Sequence, residues 1–152
     1  MKKKVIFLMF GLFFLSGCNF KPIFSLSDTN FSINEFFYDR SNKIDKKIVE
    51  SLKIYSIKKN KKKNISLKID STKNISIASK DSKGNPNKYS MNIGVLVEII
   101  ENSISVKKKA FNESFIYSNT SNKFDLRTYE NNIEQNLTES ILEKISLYLY
   151  NF

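Results

Sequence analysis

Residues 89–99, YSMNIGVLVEI, are the most regular stretch of the chain. An apolar side chain stands at every second position, and serine, asparagine and glycine occupy the intervening positions 90, 92 and 94. The alternating apolar residues are Tyr89, Met91, Ile93, Val95, Val97 and Ile99. A period of two predicts a β-strand with one apolar face, and other parts of the chain have to cover that face of the sheet.

Two more strands are predicted next to this one. Residues 65–78 carry isoleucine or leucine at most odd-numbered positions, which predicts a long, bent strand, and Gly84-Asn85-Pro86 supplies the turn that joins it to the central strand. Residues 101–104 predict a hairpin turn into a fourth strand. Pairing across that turn places Val106 opposite Ile99.

The lysine run 107–109 creates a register problem in the fourth strand. If the hairpin register continued unchanged, Phe111 and Phe115 would point to the wrong face of the sheet. One extra residue in the run corrects this, because Phe111 then lies opposite Val95 and Phe115 opposite Met91. We therefore predict a β-bulge within the lysine run, since a slip of one residue reverses every later side chain.

Residues 30–38, NFSINEFFY, predict the first strand of the sheet. Phe31, Ile33 and Phe37 fall on one side of an extended chain, and Glu35 is the exception. The preceding segment contains Pro22, which discourages both helix and central strand. It is therefore interpreted as a tether.

Two helices are predicted from apolar residues at spacings of three and four. The first covers about residues 42–56, with Ser41 or Asn42 as its cap, and the second covers residues 123–150. Their apolar residues are Ile44, Ile48, Leu52 and Tyr55 in the first helix, and Leu126, Tyr129, Ile133, Leu137, Ile141 and Ile145 in the second. The prediction is an α+β two-layer sandwich, with both helices packed on one face of a four-stranded, mainly antiparallel sheet.

The first eighteen residues, MKKKVIFLMFGLFFLSGC, are typical of a bacterial secretory signal. Three lysines precede the apolar run 5–15, and small residues follow it. Leu15-Ser16-Gly17-Cys18 resembles the lipobox of bacterial lipoproteins, in which the cysteine receives a diacylglyceryl group and, after cleavage, an N-acyl chain. We expect residues 1–17 to be removed, 18–29 to form a lipidated tether, and 30–152 to form one domain.

An uncleaved transmembrane anchor is the alternative interpretation of this segment. Eleven helical residues cover roughly 17 Å, whereas the hydrocarbon core of a bilayer is about 30 Å thick. The apolar run is therefore too short to span a membrane, which favours the lipoprotein interpretation.

The composition restricts the possible chemistry. The chain contains no histidine, and lipidation would consume Cys18, the single cysteine. The usual metal ligands and every catalytic triad built on imidazole are then missing, so an enzyme would have to use carboxylates, lysine or tyrosine alone. We expect no metal site and no cofactor apart from the covalent lipid. The formal net charge of +10 suggests contact with anionic lipid or phosphorylated glycolipid before nucleic acid, although many of these lysines can simply be solvated surface.

The chain resembles the LptE (RlpB) family of lipopolysaccharide-assembly lipoproteins. Three segments carry the resemblance: residues 17–24, GCNFKPIF; residues 81–84, DSKG, before the Tyr89 strand; and residues 117–119, YSN, before the second helix. The resemblance covers nearly the whole chain after the signal. It implies a protein without enzyme activity that plugs the outer-membrane β-barrel LptD, supports its assembly and contacts lipopolysaccharide.

The resemblance also implies where the chain acts and what it touches. In lipoproteins, an aspartate directly after the lipidated cysteine commonly signals retention in the inner membrane. This position holds Asn19 instead, so we expect the protein at the periplasmic face of the outer membrane. Ammonium groups pair well with the phosphates of lipid A. The candidate lipopolysaccharide-binding residues are Lys58, Lys59, Lys61, Lys62, Lys63, Lys107, Lys108 and Lys109.

The alternative function is that of an auxiliary lipoprotein in another envelope lipid-transport system of the ABC type. Such a protein could share the anchor and a similar α+β domain. Co-purification discriminates between the two, because only the first function requires a large β-barrel partner.

Overall fold

The computed structural model describes residues 31–56 and 63–152. The elements follow the order β1 (Phe31–Phe37), α1 (Lys43–Leu52), β2 (Lys63–Lys80), β3 (Pro86–Glu101), β4 (Ile104–Ser118) and α2 (Lys123–Tyr150). The predicted α+β class is confirmed. No helix in this part of the chain is long and apolar enough to cross a membrane. The predicted signal peptide, Cys18 and the tether lie outside the described residues.

The four strands form one open sheet in the order β1-β2-β3-β4. β1 and β2 run parallel, while β2–β3 and β3–β4 are antiparallel. The parallel pair follows from α1, because a helix between two strands returns the chain in its original direction. The two long hairpins place β2, β3 and β4 side by side over most of their length.

The core lies on one face of the sheet, beneath both helices. The predicted apolar face of the central strand is confirmed, since Met91, Val97 and Ile99 are completely buried. Ile48 and Leu52 cover this face from α1, and Ile141 and Ile145 cover it from α2. The opposite face of the sheet carries mainly polar side chains and has no covering helix among the described elements.

α1 begins at a side-chain cap. The Oδ1 atom of Asn42 accepts a hydrogen bond from the backbone N–H of Ile44 at 2.9 Å, which satisfies one of the free donors of the first turn. The Nδ2 atom of Asn42 donates to the carbonyl oxygen of Ser71 on β2 at 3.2 Å. The helix ends at Leu52, and a 3₁₀ turn, Lys53–Tyr55, continues to the predicted last residues.

α2 has the bounds that its apolar spacing predicts. Asn122 caps it through a hydrogen bond from the N–H of Phe124 to Oδ1 at 3.1 Å. Ion pairs join its two flanks to the rest of the fold, and they connect Glu134 to Lys73, Glu139 to Lys47 and Lys144 to Glu113. Tyr129, which was expected on the apolar face, is 44% exposed and contacts the ring of Tyr117 edge-on.

The first strand corrects one predicted orientation. The β1–β2 register shifts between Ile33 and Glu35, so Phe36 pairs with Leu67, and Phe37 pairs with Lys68. Phe37 is therefore 43% exposed, and the prediction that it shares a face with Phe31 and Ile33 is wrong. The irregularity reverses the faces of all later residues in the strand.

The fourth strand has the predicted register and a bulge at another place. Phe111 pairs with Val95 and Phe115 with Met91, as expected. The extra residue is Val106, because Ser105 pairs with Ile100 and Lys107 with Ile99. The bulge thus lies two residue pairs after the hairpin turn, and the ladder through the lysine run is regular. Both the predicted bulge position and the predicted pairing of Val106 with Ile99 are wrong.

The outer end of β2 is less covered than the sequence predicts. Ile75 and Ile77 lie on the helix-bearing face, yet they are 39% and 48% exposed. α1 starts at the level of Ser71, where Asn42 is bound, and therefore leaves the last third of β2 free of a covering helix.

Candidate anion-binding site

Two of the candidate lysines meet at the end of α2. Lys63 is the first residue of β2, and Lys107 lies two strands away on β4. Their ammonium nitrogens lie 5.2 Å and 4.8 Å from the centroid of the Phe152 ring. The ring of Phe152 also meets Phe31 edge-on at 6.2 Å, which fixes it against the start of β1.

A third candidate lysine lies on the same face. The ammonium group of Lys109 is 5.0 Å from the ring centroid of Tyr148 and 5.6 Å from that of Phe111. The two rings contact each other edge-on at 5.7 Å. Burial raises the pKa of Tyr148, so its phenol stays neutral beside the ammonium group. We call Lys63, Lys107 and Lys109 with these aromatic side chains the lysine–aromatic cluster.

Lys108 is separated from this cluster by the strand geometry. Successive side chains of a strand point to opposite faces, so Lys108 lies on the open face. Its ammonium nitrogen is 3.1 Å from Oε1 of Glu98. A hydrogen bond from the Ser105 hydroxyl and the charge of Lys108 lower the pKa of Glu98. The remaining candidates, Lys58, Lys59, Lys61 and Lys62, and the lipidation residue Cys18, lie outside the described residues.

A groove of about 430 Å³ runs alongside the cluster, between β4 and the last turns of α2. Its floor is apolar and its rim carries two ammonium groups. The residues around it are Lys109, Phe111, Lys144, Leu147, Tyr148 and Asn151. Lys144 is also bound to Glu113, and this hydrogen bond is the main reason that the pKa of Glu113 is lowered.

This arrangement suits an anion that carries an apolar part. Ammonium groups held over aromatic rings keep their charge and can still bind a phosphate or carboxylate from the solvent side. The apolar floor can bury a hydrocarbon group next to that anion. Within residues 31–56 and 63–152, no group of Cys, Asp and Glu side chains is arranged to hold a metal ion.

The aromatic partners of the lysines are residues that the sequence did not indicate as part of a site. Residues 147–152, LYLYNF, are apolar nearly all round, a pattern that predicts packing on the chain's own sheet before contact with a partner. Leu149 is indeed completely buried, but Leu147 and Tyr150 are 47% and 44% exposed. The density of aromatic residues in this stretch was the available signal.

Comparisons with known proteins give fold relatives and no sequence relatives. No protein-family model matches the chain, and no curated protein matches it either. Among solved structures, rare lipoprotein B from Shewanella oneidensis superimposes with a TM-score of 0.56 at 12% identity, covering 78% of this chain and 98% of that one.

Two further solved structures have similar values. Uncharacterized lipoprotein B from Nitrosomonas europaea gives a TM-score of 0.60 at 10% identity, over 81% of this chain and 87% of that chain. A minor lipoprotein from Acinetobacter baumannii gives 0.57 at 8% identity, over 79% and 91%. The resemblance found in the sequence is thus confirmed at the level of the fold, and the chain has the fold of rare lipoprotein B.

Proposed function

We propose that this chain is an outer-membrane lipoprotein of the lipopolysaccharide transport and assembly machinery, with the role of LptE. Two independent observations support the proposal. The fold is that of rare lipoprotein B, and the sequence before it, Leu15-Ser16-Gly17-Cys18, matches a lipobox. In this role the protein catalyses no reaction; it binds lipopolysaccharide and a β-barrel partner of the LptD type.

The lysine–aromatic cluster is the observation that carries the proposed contact with lipopolysaccharide. Two strands that are distant in sequence, β2 and β4, bring Lys63, Lys107 and Lys109 to the same end of the sheet, beside aromatic rings of the C-terminal stretch. Lipid A combines phosphates with acyl chains, and the cluster combines ammonium groups with an apolar groove. The ammonium groups can therefore pair with the phosphates, and the groove can hold part of an acyl chain.

The open face of the sheet supports the proposed barrel partner. Its central rows carry neutral polar side chains, among them Thr72, Asn74, Asn92, Asn112 and Ser114, and all five are exposed. The interior of an outer-membrane barrel is also polar. A plug with such a face can lie against the barrel wall without desolvating charged groups.

Charge reversal of the cluster tests the lipopolysaccharide contact. The variant Lys63→Glu/Lys107→Glu/Lys109→Glu should bind purified lipopolysaccharide in detergent at least about tenfold more weakly, because three favourable charge contacts become repulsive. The matched control is Lys46→Glu/Lys83→Glu/Lys88→Glu, which changes net charge equally at exposed positions elsewhere. Equal weakening in both variants would show that net charge, and not the cluster, binds the ligand.

Extraction of the lipidated protein from outer membranes tests the partner and the anchor. Mass spectrometry should identify a large β-barrel of the LptD type in the co-purified material, and a Cys18→Ala variant should lose palmitate label. A stable inner-membrane transporter partner without the barrel would instead favour the ABC-type accessory lipoprotein. Palmitate label on the Cys18→Ala variant would contradict the proposed anchor.

A further inference from the structure

Within residues 31–56 and 63–152, β4 is an edge strand of the sheet, and the register shows which of its backbone groups point outward. The N–H of Asn119 donates to the carbonyl oxygen of Asn87 at 2.8 Å, in register with the β3–β4 ladder. In an antiparallel ladder, hydrogen-bonded and non-hydrogen-bonded residues alternate. Odd-numbered residues of β4 therefore bond to β3, and even-numbered residues direct both N–H and C=O away from the sheet. In the second half of β4 these are Ala110, Asn112, Ser114, Ile116 and Ser118, all exposed.

The two halves of this edge differ in how they discourage strand pairing. Exposed edges are commonly blocked by lysines, prolines and bulges. The first half of β4 has the bulge at Val106 and the lysine run 107–109. The second half, residues 110–118, contains neither lysine nor proline, and its ladder with β3 is regular. Its single charged residue, Glu113, lies on the helix-bearing face and is bound to Lys144.

Apolar side chains stand on both faces of this second half. Phe115 is 44% exposed on the helix-bearing face, and Ile116 is 60% exposed on the open face. An added strand would cover part of both side chains, because cross-strand neighbours lie about 5 Å apart. The edge thus offers free backbone groups and apolar surface at the same place.

We propose that residues 110–118 of β4 accept an extended segment of another protein as a fifth strand of the sheet. The charge distribution identifies the kind of partner. Two copies of this chain repel one another, because lysine and arginine outnumber aspartate and glutamate in each even without the three lysines of the signal. The lysine run 107–109 lies directly beyond one end of the free edge, so the bound segment is neutral along 110–118 and acidic at that end. The proposal requires neither lipopolysaccharide nor a barrel.

Amide hydrogen exchange with a defined probe tests the pairing. The probe is a synthetic peptide of alternating threonine and valine, as long as segment 110–118 and extended at one end by three glutamates. It is added to the full chain in detergent micelles. We expect slower exchange at the backbone N–H groups of Asn112, Ser114 and Ile116. Unchanged exchange at these three amides at saturating peptide would overturn the proposal.

A pair of matched variants locates the binding on the edge. Ile116→Lys adds an edge-blocking charge and should raise the Kd of the peptide at least about tenfold. Leu96→Lys makes the same change on the same face of the central strand β3, where the residue is 41% exposed, and should leave the Kd unchanged. Equal effects of both variants would mean that the peptide lies on the open face and would contradict edge pairing.

Two further controls separate strand pairing from other kinds of binding. A peptide N-methylated at alternate amides lacks the donors for the ladder and should not bind; binding with unchanged affinity would overturn the proposal. Protection of the same three amides that rises with protein concentration in the absence of peptide would show that a second copy occupies the edge. That result would contradict the proposed acidic partner and would identify a second copy of the chain as the occupant of the edge.

Discussion

At the residue scale, Asp45 in the first turn of α1 is the most unusual side chain of the core. It is 1% exposed, and among the described residues neither its Oδ1 atom nor the nearby Ser71 hydroxyl has a partner at hydrogen-bonding distance. Burial raises the pKa of Asp45 above its ordinary value, and the neighbouring Ser71 hydroxyl offsets only part of this effect. The ionised carboxylate therefore opposes folding.

The sign of this effect gives a pH-dependent prediction. The favourable contribution of Asp45 is complete below its ordinary pKa of 3.8 and is lost as pH rises through the raised value. Asp45→Asn should therefore be more stable than the parent at pH 7, by about 1 kcal/mol, and should lose this advantage near pH 3. Urea unfolding at the two pH values measures the difference. Asp39→Asn is the control, because the Ser41 hydroxyl lowers the pKa of that exposed carboxyl and its pH trend should be opposite.

Tyr117 makes the best-defined polar contact between the sheet and α2. Its hydroxyl donates to Oε1 of Glu130 at 2.6 Å, and the residue is 3% exposed. Tyr117→Phe should lower the free energy of unfolding by about 1 to 2 kcal/mol, because the hydrogen bond to a charged acceptor is lost. Thermal unfolding of this variant, of Glu130→Gln and of the double variant checks it. Strictly additive losses would show that the two groups do not interact.

At the scale of the elements, α2 contributes six buried apolar side chains to the core. Ile145 is completely buried, whereas Leu147, two residues further on, is 47% exposed. Ile145→Ala should lower the free energy of unfolding by about 3 kcal/mol through lost burial and the cavity left behind. Leu147→Ala should cost less than about 1 kcal/mol. Urea unfolding of both variants compares the two positions, and similar losses would contradict the packing described.

The elements also show which features a sequence can predict. The bounds of α2 were predictable because its cap, Asn122, and its apolar spacing are local. The alternation of β3 was predictable for the same reason. The two bulges were not, because the position of an extra residue depends on the partner strand and on the adjoining turn. The hairpin turn with positive φ at Asn102 and Ser103 sets the first two residue pairs, and the extra residue, Val106, comes directly after them.

Part of the candidate site could likewise be predicted from the sequence, and part of it could not. The exposure of the lysines at 107–109 could be predicted from their charge. Once the register is known, the alternation of side chains along the strand places Lys107 and Lys109 on one face. It places Lys108 on the opposite face, where it is bound to Glu98. The meeting of Lys63 with Phe152 depends on the whole topology, because the parallel β1–β2 pair and the end of α2 both have to be in place.

At the scale of the whole molecule, cover by the helices is uneven along the sheet. The half that holds Ile65 and Leu67 lies under helices, while Ile75 and Ile77 near the β2–β3 turn are partly exposed. Ladder amides of residues 74–80 should therefore exchange with deuterium at least about tenfold faster than those of residues 65–71 under native conditions. Native-state hydrogen exchange measured by NMR tests this, and uniform protection along β2 would contradict it.

The contact between Phe31 and Phe152 fixes which end of the sheet lies next to the segment that precedes β1. Phe31 is the first residue of β1 and pairs with Lys63, so the described domain begins at the lysine-bearing end of the sheet. If Cys18 holds the lipid, the eleven residues 19–29 reach at most roughly 40 Å. The anchored protein would then present this end to the headgroups and the β2–β3 turn to the periplasm. The lipid anchor and the lysine–aromatic cluster would then lie at the same end of the molecule, and a glycolipid leaving the membrane would meet the lysines first.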